Sequence, residues 1–251
     1  MSEALRLYGL KAVVLAGASG IGEAIARTLV KHGAEVLALD NHASDLSRTY
    51  ESVRGVTGKS INSDADDIGA EVVGAAQDAM GGIDIVVAYV EMPQLSPIKD
   101  GDDAALAKLL DARSAIYTSV AEATLPKLKK SPAGRFISIG LVRSAFAIDG
   151  ERAYEKSRDT LARFSESLAS RFGDSGISAN YIQPGAIMTP ESRKVFSAAT
   201  DLRDYCIKRS AARRLAEPVD IAKVVLFLAS DDAGFVNGTG VMVDGGRAVA
   251  N

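Results

Sequence analysis

The sequence is poor in several residues that mark whole classes of protein. Its 251 residues include one cysteine, Cys206, two histidines and no tryptophan. A lone cysteine excludes an internal disulfide and a thiolate metal site, and it favours a reducing compartment. No apolar run approaches the roughly 20 residues that cross a bilayer, and residues 1–8 lack the pattern of a signal peptide. We therefore expect a cytoplasmic protein without a membrane partner.

An excess of charge of one sign is also missing. The chain has 29 lysines and arginines against 32 aspartates and glutamates. This slightly acidic balance lacks the basic field that binding to nucleic acids or anionic membranes requires, so we expect no nucleic-acid partner. His32 and His42 are isolated in the pattern, and we expect no metal site. What is left is a soluble globular protein with a small-molecule ligand.

Short apolar runs alternate with helical patterns along the chain. The predicted strands cover residues 11–16, 35–39, 56–61, 83–90, 135–139, 178–182 and 240–243. Between them lie helical patterns at 21–32, 67–80, 102–130, 153–172 and 218–230. This alternation predicts a single α/β domain over 1–251, a Rossmann-type doubly wound parallel sheet with helices on both faces. The long stretch without a strand, 188–214, is predicted to be a lid-like insertion.

A glycine-rich turn follows the first strand and opens the first helix. In such a turn the backbone can approach a pyrophosphate closely, and the helix N-terminus supplies N–H donors. The candidate cofactor-binding residues here are Gly17, Ser19, Gly20, Ile21 and Gly22. Asp40 ends the second strand, where a carboxylate accepts hydrogen bonds from an adenosine ribose and repels a 2′-phosphate. The pattern therefore predicts NAD rather than NADP, while a tight structural turn without a ligand stays the alternative.

The order of motifs resembles that of the short-chain dehydrogenase/reductase family over essentially the full length. The matching segments are 18–26, 83–87, 153–157, 176–180, 184–189, 214–218, 225–231 and 243–246. The resemblance implies a Rossmann-type sheet, a nicotinamide cofactor, and a tetramer built on the two long helices and the C-terminal strand. It also implies that Pro184, Gly185 and Thr189 contribute to the cofactor site.

The catalytic positions of that family are mostly replaced. The resemblance implies a site of Asn, Ser, Tyr and Lys, in which Tyr is the general acid/base, Lys lowers its pKa, and Ser polarises the carbonyl. Only the tyrosine is present, as Tyr154; the other positions hold Arg113, Leu141 and Arg158. A leucine cannot donate a hydrogen bond, and loss of one preorganised donor costs about 10²–10³ in rate. Arginine also differs from lysine in shape and donor geometry.

The cofactor site departs from the family pattern as well. The Thr-Gly before the glycine turn is replaced by Leu15 and Ala16, or the loop is one residue shorter; one sequence does not separate these alternatives. After the fourth strand, Tyr89 adds bulk and Glu91 adds negative charge where the family has small residues beside the cofactor. We expect this chain to bind NAD weakly or not at all.

Three hypotheses follow. The leading one is a catalytically silent subunit of a hetero-oligomeric NAD-dependent dehydrogenase, with an active paralogue as partner in a heterotetramer. In this respect the chain resembles the non-catalytic subunits of two-subunit dehydrogenases in anaerobic toluene degradation. That resemblance implies an acyl-CoA substrate for the complex, 2-[hydroxy(phenyl)methyl]succinyl-CoA, which is oxidised to benzoylsuccinyl-CoA. The second is an active NAD(H) oxidoreductase in which Tyr154 still acts and Ser138 or Ser144 replaces the missing donor. The third is a small-molecule-binding regulatory protein on the same fold.

Overall fold

Seven parallel strands form one sheet in the computed structural model, which describes residues 6–62, 67–90 and 97–247. Their order across the sheet is β3-β2-β1-β4-β5-β6-β7. The strands are β1 Lys11–Leu15, β2 Glu35–Asp40, β3 Val56–Ser60, β4 Ile85–Ala88, β5 Arg135–Ile139, β6 Ser178–Pro184 and β7 Gly240–Val243. The sheet reverses its order between β1 and β4, which is where ligands bind in open α/β folds.

Helices cover both faces of this sheet. They are α1 Gly20–Lys31, α2 Ala43–Tyr50, α3 Ile68–Met80, α4 Asp103–Leu128, α5 Glu151–Phe172, α6 Pro190–Ala198, α7 Thr200–Arg209 and α8 Pro218–Ala229. Alternate residues of each central strand point to opposite faces: Ala12 and Val14 pack with α1 and α8, whereas Val13 and Leu15 pack with α3, α4 and α5. The predicted fold class is therefore confirmed, because strands buried on both faces read as continuous apolar runs.

Two segments of the structure contain helices that the sequence pattern did not predict. Helix α2 was not predicted, because it is short and polar and buries only Leu46 and Tyr50. The segment 188–214 contains two helices, α6 and α7, and Met188 before α6 donates its backbone N–H to the carbonyl of Ala216 at 2.8 Å.

Within the described ranges, no helix is both long and apolar enough to cross a membrane. The same ranges contain no cluster of three or more histidine, cysteine, aspartate or glutamate side chains placed to hold a metal ion.

Candidate dinucleotide and catalytic site

The glycine turn keeps its full length, with an alanine in the position that demands glycine. Ala16 has a φ of +53°, in the left-handed region that side chains with a Cβ rarely adopt. This conformation supports the substitution of a glycine by Ala16 rather than a shorter loop. Gly22 lies on the buried side of α1, against the turn, and a Cβ there would overlap the carbonyl oxygen of Ala16. Glycine at 22 is therefore required by packing, whether or not a ligand binds.

Asp40 lies at the end of β2, but its carboxylate is already engaged by protein. One oxygen accepts from the backbone N–H of Ala18 at 3.1 Å, and the other accepts from the backbone N–H of His42 at 3.2 Å. The His42 ring lies 3.0 Å from the same oxygen, and this hydrogen bond raises the pKa of His42. A carboxylate has about four lone-pair sites, so Asp40 retains capacity for a ribose hydroxyl.

The unpredicted helix α2 fixes the glycine turn. Tyr50 donates its hydroxyl to the carbonyl of Gly17, and Thr49 donates to the carbonyl of Ala18 at 3.1 Å. Burial raises the pKa of Tyr50, so this donor keeps its proton. The two hydrogen bonds hold the turn between β1 and α1 in one conformation.

The space above the turn is narrow on the side of α6. A methyl group placed on Gly20 would lie 3.4 Å from Cβ of Thr189 and 3.6 Å from Cδ of Pro190. Thr189 has no exposed surface and caps α6, its hydroxyl accepting from the N–H of Ser192 at 3.0 Å. Thr189 and Pro190 at the start of α6 therefore lie within van der Waals distance of the side on which Gly20 has no side chain.

The other candidate cofactor residues surround the same edge. Ser19 is the N-cap residue of α1, and Ile21 is buried on its inner face. A Cβ at Gly185 would lie 2.7 Å from the backbone of Asp244, so that glycine allows the chain after β6 to pass the end of β7. Tyr89 is buried in the same apolar cluster as Ile21 and Ile187, where it fills space beside the turn. Glu91 lies outside the described residues.

Tyr154 is held by the protein main chain. Its side chain is 97% covered, and its hydroxyl donates to the carbonyl oxygen of Pro184 at 2.8 Å. Burial is the largest influence on this phenol and raises the pKa of Tyr154 to about 12. A general acid/base works best with a pKa near the working pH, so this tyrosine is far from that range.

Leu141 and Arg113 make structural contacts at the positions where the family resemblance implies Ser and Asn. Leu141 packs with Tyr154, Phe146 and Ile98 in a buried cluster, so an aliphatic group lies where a hydroxyl donor is expected. Arg113, on α4, is buried and donates to the carbonyl of Ile139 at 2.7 Å. Its guanidinium thus binds the last residue of β5.

Arg158 is directed away from the role of the replaced lysine. It lies one helical turn after Tyr154 on α5, and its guanidinium donates to the Asp159 carboxylate at 2.9 and 3.1 Å. This hydrogen bond raises the pKa of Arg158, and about a third of its side chain is exposed. The cation is thus committed to a surface ion pair, where it does not lower the pKa of Tyr154.

The two serines considered as replacement donors are both buried. Ser138 lies within β5 with no exposed surface, and its hydroxyl has no hydrogen-bond partner. The hydroxyl of Ser144 lies 2.8 Å from that of Ser192 on α6, and Thr189 donates to Ser192 at 3.1 Å. Ser144 therefore joins the chain after β5 to the helix that covers the glycine turn.

Sequence reasoning missed a buried ionic cluster beside Tyr154. Arg143 follows β5, Glu151 begins α5, and Arg247 follows β7; Arg247 donates to both carboxylate oxygens of Glu151, and Arg143 lies 3.7 Å from it. The guanidinium carbons of Arg247 and Arg143 lie 5.3 and 6.0 Å from the Tyr154 ring centroid. The sequence signal that could have located this cluster is that both arginines follow predicted strands, because the carboxyl ends of parallel strands meet at one edge of the sheet.

Comparison with known proteins agrees with this architecture. A family model described as Enoyl-(Acyl carrier protein) reductase matches residues 15–248. Dehydrogenase/reductase SDR family member 4 of Oryctolagus cuniculus is 27% identical, with 94% of this chain and 92% of that protein covered. The chain belongs to the short-chain dehydrogenase/reductase family of oxidoreductases.

Two further similarities support this assignment. An uncharacterized oxidoreductase of Mycobacterium tuberculosis is 32% identical, with 98% of this chain and 95% of that protein covered. The crystal structure of gox2181 matches with a TM-score of 0.86 at 27% identity and covers 98% of both chains. Short-chain dehydrogenases generally bind NAD(H).

Proposed function

We propose that this chain is a catalytically silent subunit of a hetero-oligomeric, NAD-dependent short-chain dehydrogenase whose chemistry is done by an active paralogue. The observation that carries the proposal is the environment of Tyr154. Its hydroxyl is bound to the Pro184 carbonyl, its pKa is about 12, and Arg158 is paired with Asp159. With a pKa this high the phenol stays protonated near neutral pH, and we do not expect it to act as a general base.

The cofactor side of the site supports the same proposal. Thr189 and Pro190 lie against Gly20, and Tyr89 fills space near the turn. The contact of Ser144 with Ser192 holds α6 in this position beside the turn. The isolated chain therefore binds NAD weakly or not at all, and NAD in the complex belongs to the partner.

One edge of the molecule suits assembly with a related subunit. Strand β7 is the last strand of the sheet, and the helix beside it, α8, carries apolar side chains at the surface. The exposed apolar side chains here are Val219 and Phe227 on α8, Phe235 between α8 and β7, and Met242 on β7. Exposed apolar groups concentrated along one edge are typical of protein–protein contact surfaces. We propose that this edge contacts the active paralogue in a heterotetramer.

For the substrate of the complex, the proposal rests on the sequence resemblance alone. It is an acyl-CoA, 2-[hydroxy(phenyl)methyl]succinyl-CoA, oxidised to benzoylsuccinyl-CoA. The test is to measure NAD reduction by the two co-expressed subunits with this thioester. If the complex oxidises other alcohols but not the thioester, the proposed substrate is wrong and the silent-subunit proposal is unaffected.

The decisive experiment replaces Tyr154 in the assembled complex. We expect Tyr154→Phe to leave kcat of the complex within about twofold of wild type, because the hydroxyl is bound within this chain, to the Pro184 carbonyl and beside Gln183. The matched control is Tyr→Phe at the aligned position of the partner, where loss of a general acid/base costs about 10²–10⁴ in rate. A comparable loss from Tyr154→Phe, or turnover by this chain alone across a screen of alcohols and ketones, would overturn the proposal in favour of an active enzyme.

A further inference from the structure

An asparagine followed by a glycine lies just before the last strand of the sheet. Of the asparagines in the sequence, Asn237 alone precedes a glycine, Gly238. Asn237 is exposed to water, and β7 begins two residues after Gly238. In such a pair the backbone nitrogen of the glycine can reach the side-chain amide of the asparagine, because glycine has no side chain to obstruct the approach.

The reaction that this pair permits is deamidation. The backbone nitrogen of Gly238 forms a bond to Cγ of Asn237, the bond from Cγ to the side-chain nitrogen breaks, and ammonia leaves with the proton of the glycine N–H. Water then opens the resulting cyclic imide at either of its carbonyls. The products are an ordinary aspartate and a β-linked aspartate, in which the main chain is longer by one carbon atom.

The fold holds both reacting groups in hydrogen bonds to one residue of β6. The side-chain oxygen of Asn237 accepts from the backbone N–H of Ala179 at 2.8 Å. The backbone N–H of Gly238 donates to the carbonyl of Ala179 at 2.9 Å. The nitrogen that must attack is therefore engaged with β6, and the amide that it must reach is fixed in place.

Asn180, the next residue of β6, binds the chain on both sides of this pair. Its side-chain nitrogen donates to the carbonyl of Val236 at 2.8 Å, and its side-chain oxygen accepts from the backbone N–H of Thr239 at 3.1 Å. Asn180 is buried, so these hydrogen bonds are shielded from water. Each residue of the segment 236–239 is thus hydrogen-bonded to β6.

Packing explains why the fold keeps a glycine at position 238. Gly238 has a φ of +69°, in the left-handed region, and a Cβ there would lie 3.1 Å from Cβ of Ala169 on α5. A larger residue would slow the attack on Asn237, but it would strain this backbone and press on α5. The reactive pair is therefore retained for structural reasons, and its chemical stability depends on the hydrogen bonds to β6.

We infer that Asn237 is a site of spontaneous deamidation, and that binding of the segment 236–239 to β6 suppresses the reaction in the folded chain. Opening of this segment, without unfolding of the core, frees the Gly238 nitrogen and allows the reaction. The β-linked product lengthens the main chain just before β7, so that Thr239 no longer matches its partners on β6. The inference goes beyond the proposed function and concerns this chain alone, so its test needs no partner subunit.

Peptide mapping by mass spectrometry measures the reaction in the isolated full-length chain. The protein is incubated at mildly alkaline pH, once native and once unfolded in guanidinium chloride, and the conversion of each asparagine is followed with time. We expect Asn237 to deamidate fastest of all in the unfolded chain, and at least about tenfold more slowly in the native chain, because only the small open population reacts there. Equal rates in both states, or no reaction at Asn237 in the unfolded chain, would overturn the inference.

Two variants separate opening of the segment from unfolding of the whole chain. Asn180→Ala removes the hydrogen bonds to Val236 and Thr239 and should accelerate deamidation of the native chain about tenfold, the factor expected for the loss of one to two hydrogen bonds. The control is Val13→Ala on β1, which lowers the stability of the core away from this segment and should leave the rate within about twofold of wild type.

Equal acceleration by the two variants, or none by Asn180→Ala, would show that the segment does not control the reaction. If Asn180→Ala does not fold, the comparison of the native with the unfolded wild-type chain decides.

Discussion

Single residues in the glycine turn carry conformations that their neighbours impose. Ala16 has a left-handed backbone although it has a Cβ, a conformation that costs about 1–2 kcal/mol in a non-glycine residue. Gly22 has the opposite constraint, since any side chain there overlaps the Ala16 carbonyl. The turn thus keeps Gly22 where packing requires a glycine, while Ala16 has a backbone conformation that favours glycine.

Ala16→Gly should therefore be neutral or stabilising by up to about 0.5 kcal/mol. Relief of the left-handed backbone offsets the greater chain entropy of glycine in the unfolded state. Ala24→Gly, inside α1 with ordinary helical backbone, should instead cost about 1 kcal/mol. Urea unfolding of both variants measures the difference; equal losses would contradict a strained Ala16.

Gly22→Ala should destabilise the protein by at least about 3 kcal/mol, because the new methyl group meets backbone that cannot move without separating α1 from β1. Gly74→Ala is the matched control on α3, where an added Cβ meets nothing within 4 Å. That substitution should stabilise by about 0.5–1 kcal/mol. Thermal unfolding of both variants checks the pair, and a mild effect of Gly22→Ala would show that the turn adapts.

At the scale of elements, the beginning of α5 is the junction between the ends of β5 and β7. Glu151 in its first turn binds Arg247 from the chain after β7 and Arg143 from the chain after β5. Partial burial acts to raise the pKa of Glu151, but the hydrogen bonds and charges of Arg247, together with Arg143 and Arg209, outweigh it and lower the pKa.

Glu151→Gln should destabilise the chain by roughly 1–3 kcal/mol near neutral pH. The loss is below the 3–5 kcal/mol of a fully buried pair because about a third of this carboxylate is exposed. Since the folded pKa is depressed, the wild-type advantage is complete above the ordinary pKa of 4.5 and disappears as the pH falls through the lower folded value. Glu155→Gln, exposed one turn further along α5, is the control. If the difference in unfolding free energy between wild type and Glu151→Gln is the same from pH 3 to pH 7, the ion-pair explanation is wrong.

At the scale of the whole molecule, the sheet has two edge strands, β3 and β7. The two apolar clusters bury its central strands, whereas β7 has a neighbour only in β6. The apolar surface along α8 and β7 adds nothing to the core of the single chain. Its contribution to stability is expected only in an assembly.

Phe227→Lys on α8 should therefore weaken association of the chain, with itself or with an active paralogue, at least tenfold. The free energy of unfolding of the isolated chain should fall by about 1–2 kcal/mol, since Phe227 is only 37% exposed and the rest of the side chain is covered within the chain. Ala70→Lys places the same charge on the exposed surface of α3, across the sheet, and should leave association unchanged. Sedimentation velocity distinguishes the variants, and intact assembly of Phe227→Lys would place the contact elsewhere.

The sequence by itself determined the seven strands and the parallel sheet, because hydrophobic periodicity depends on residues close together in the chain; the replaced catalytic positions stay a prediction from the family resemblance. It did not determine α2, whose eight residues are too short and polar to give a periodic signal. Only the tertiary structure decided that Ala16 substitutes for a glycine, that Tyr154 binds the Pro184 carbonyl, and that Arg158 pairs with Asp159. The same holds for Glu151 and Arg247, which are 96 residues apart and meet because the carboxyl ends of parallel strands share one edge.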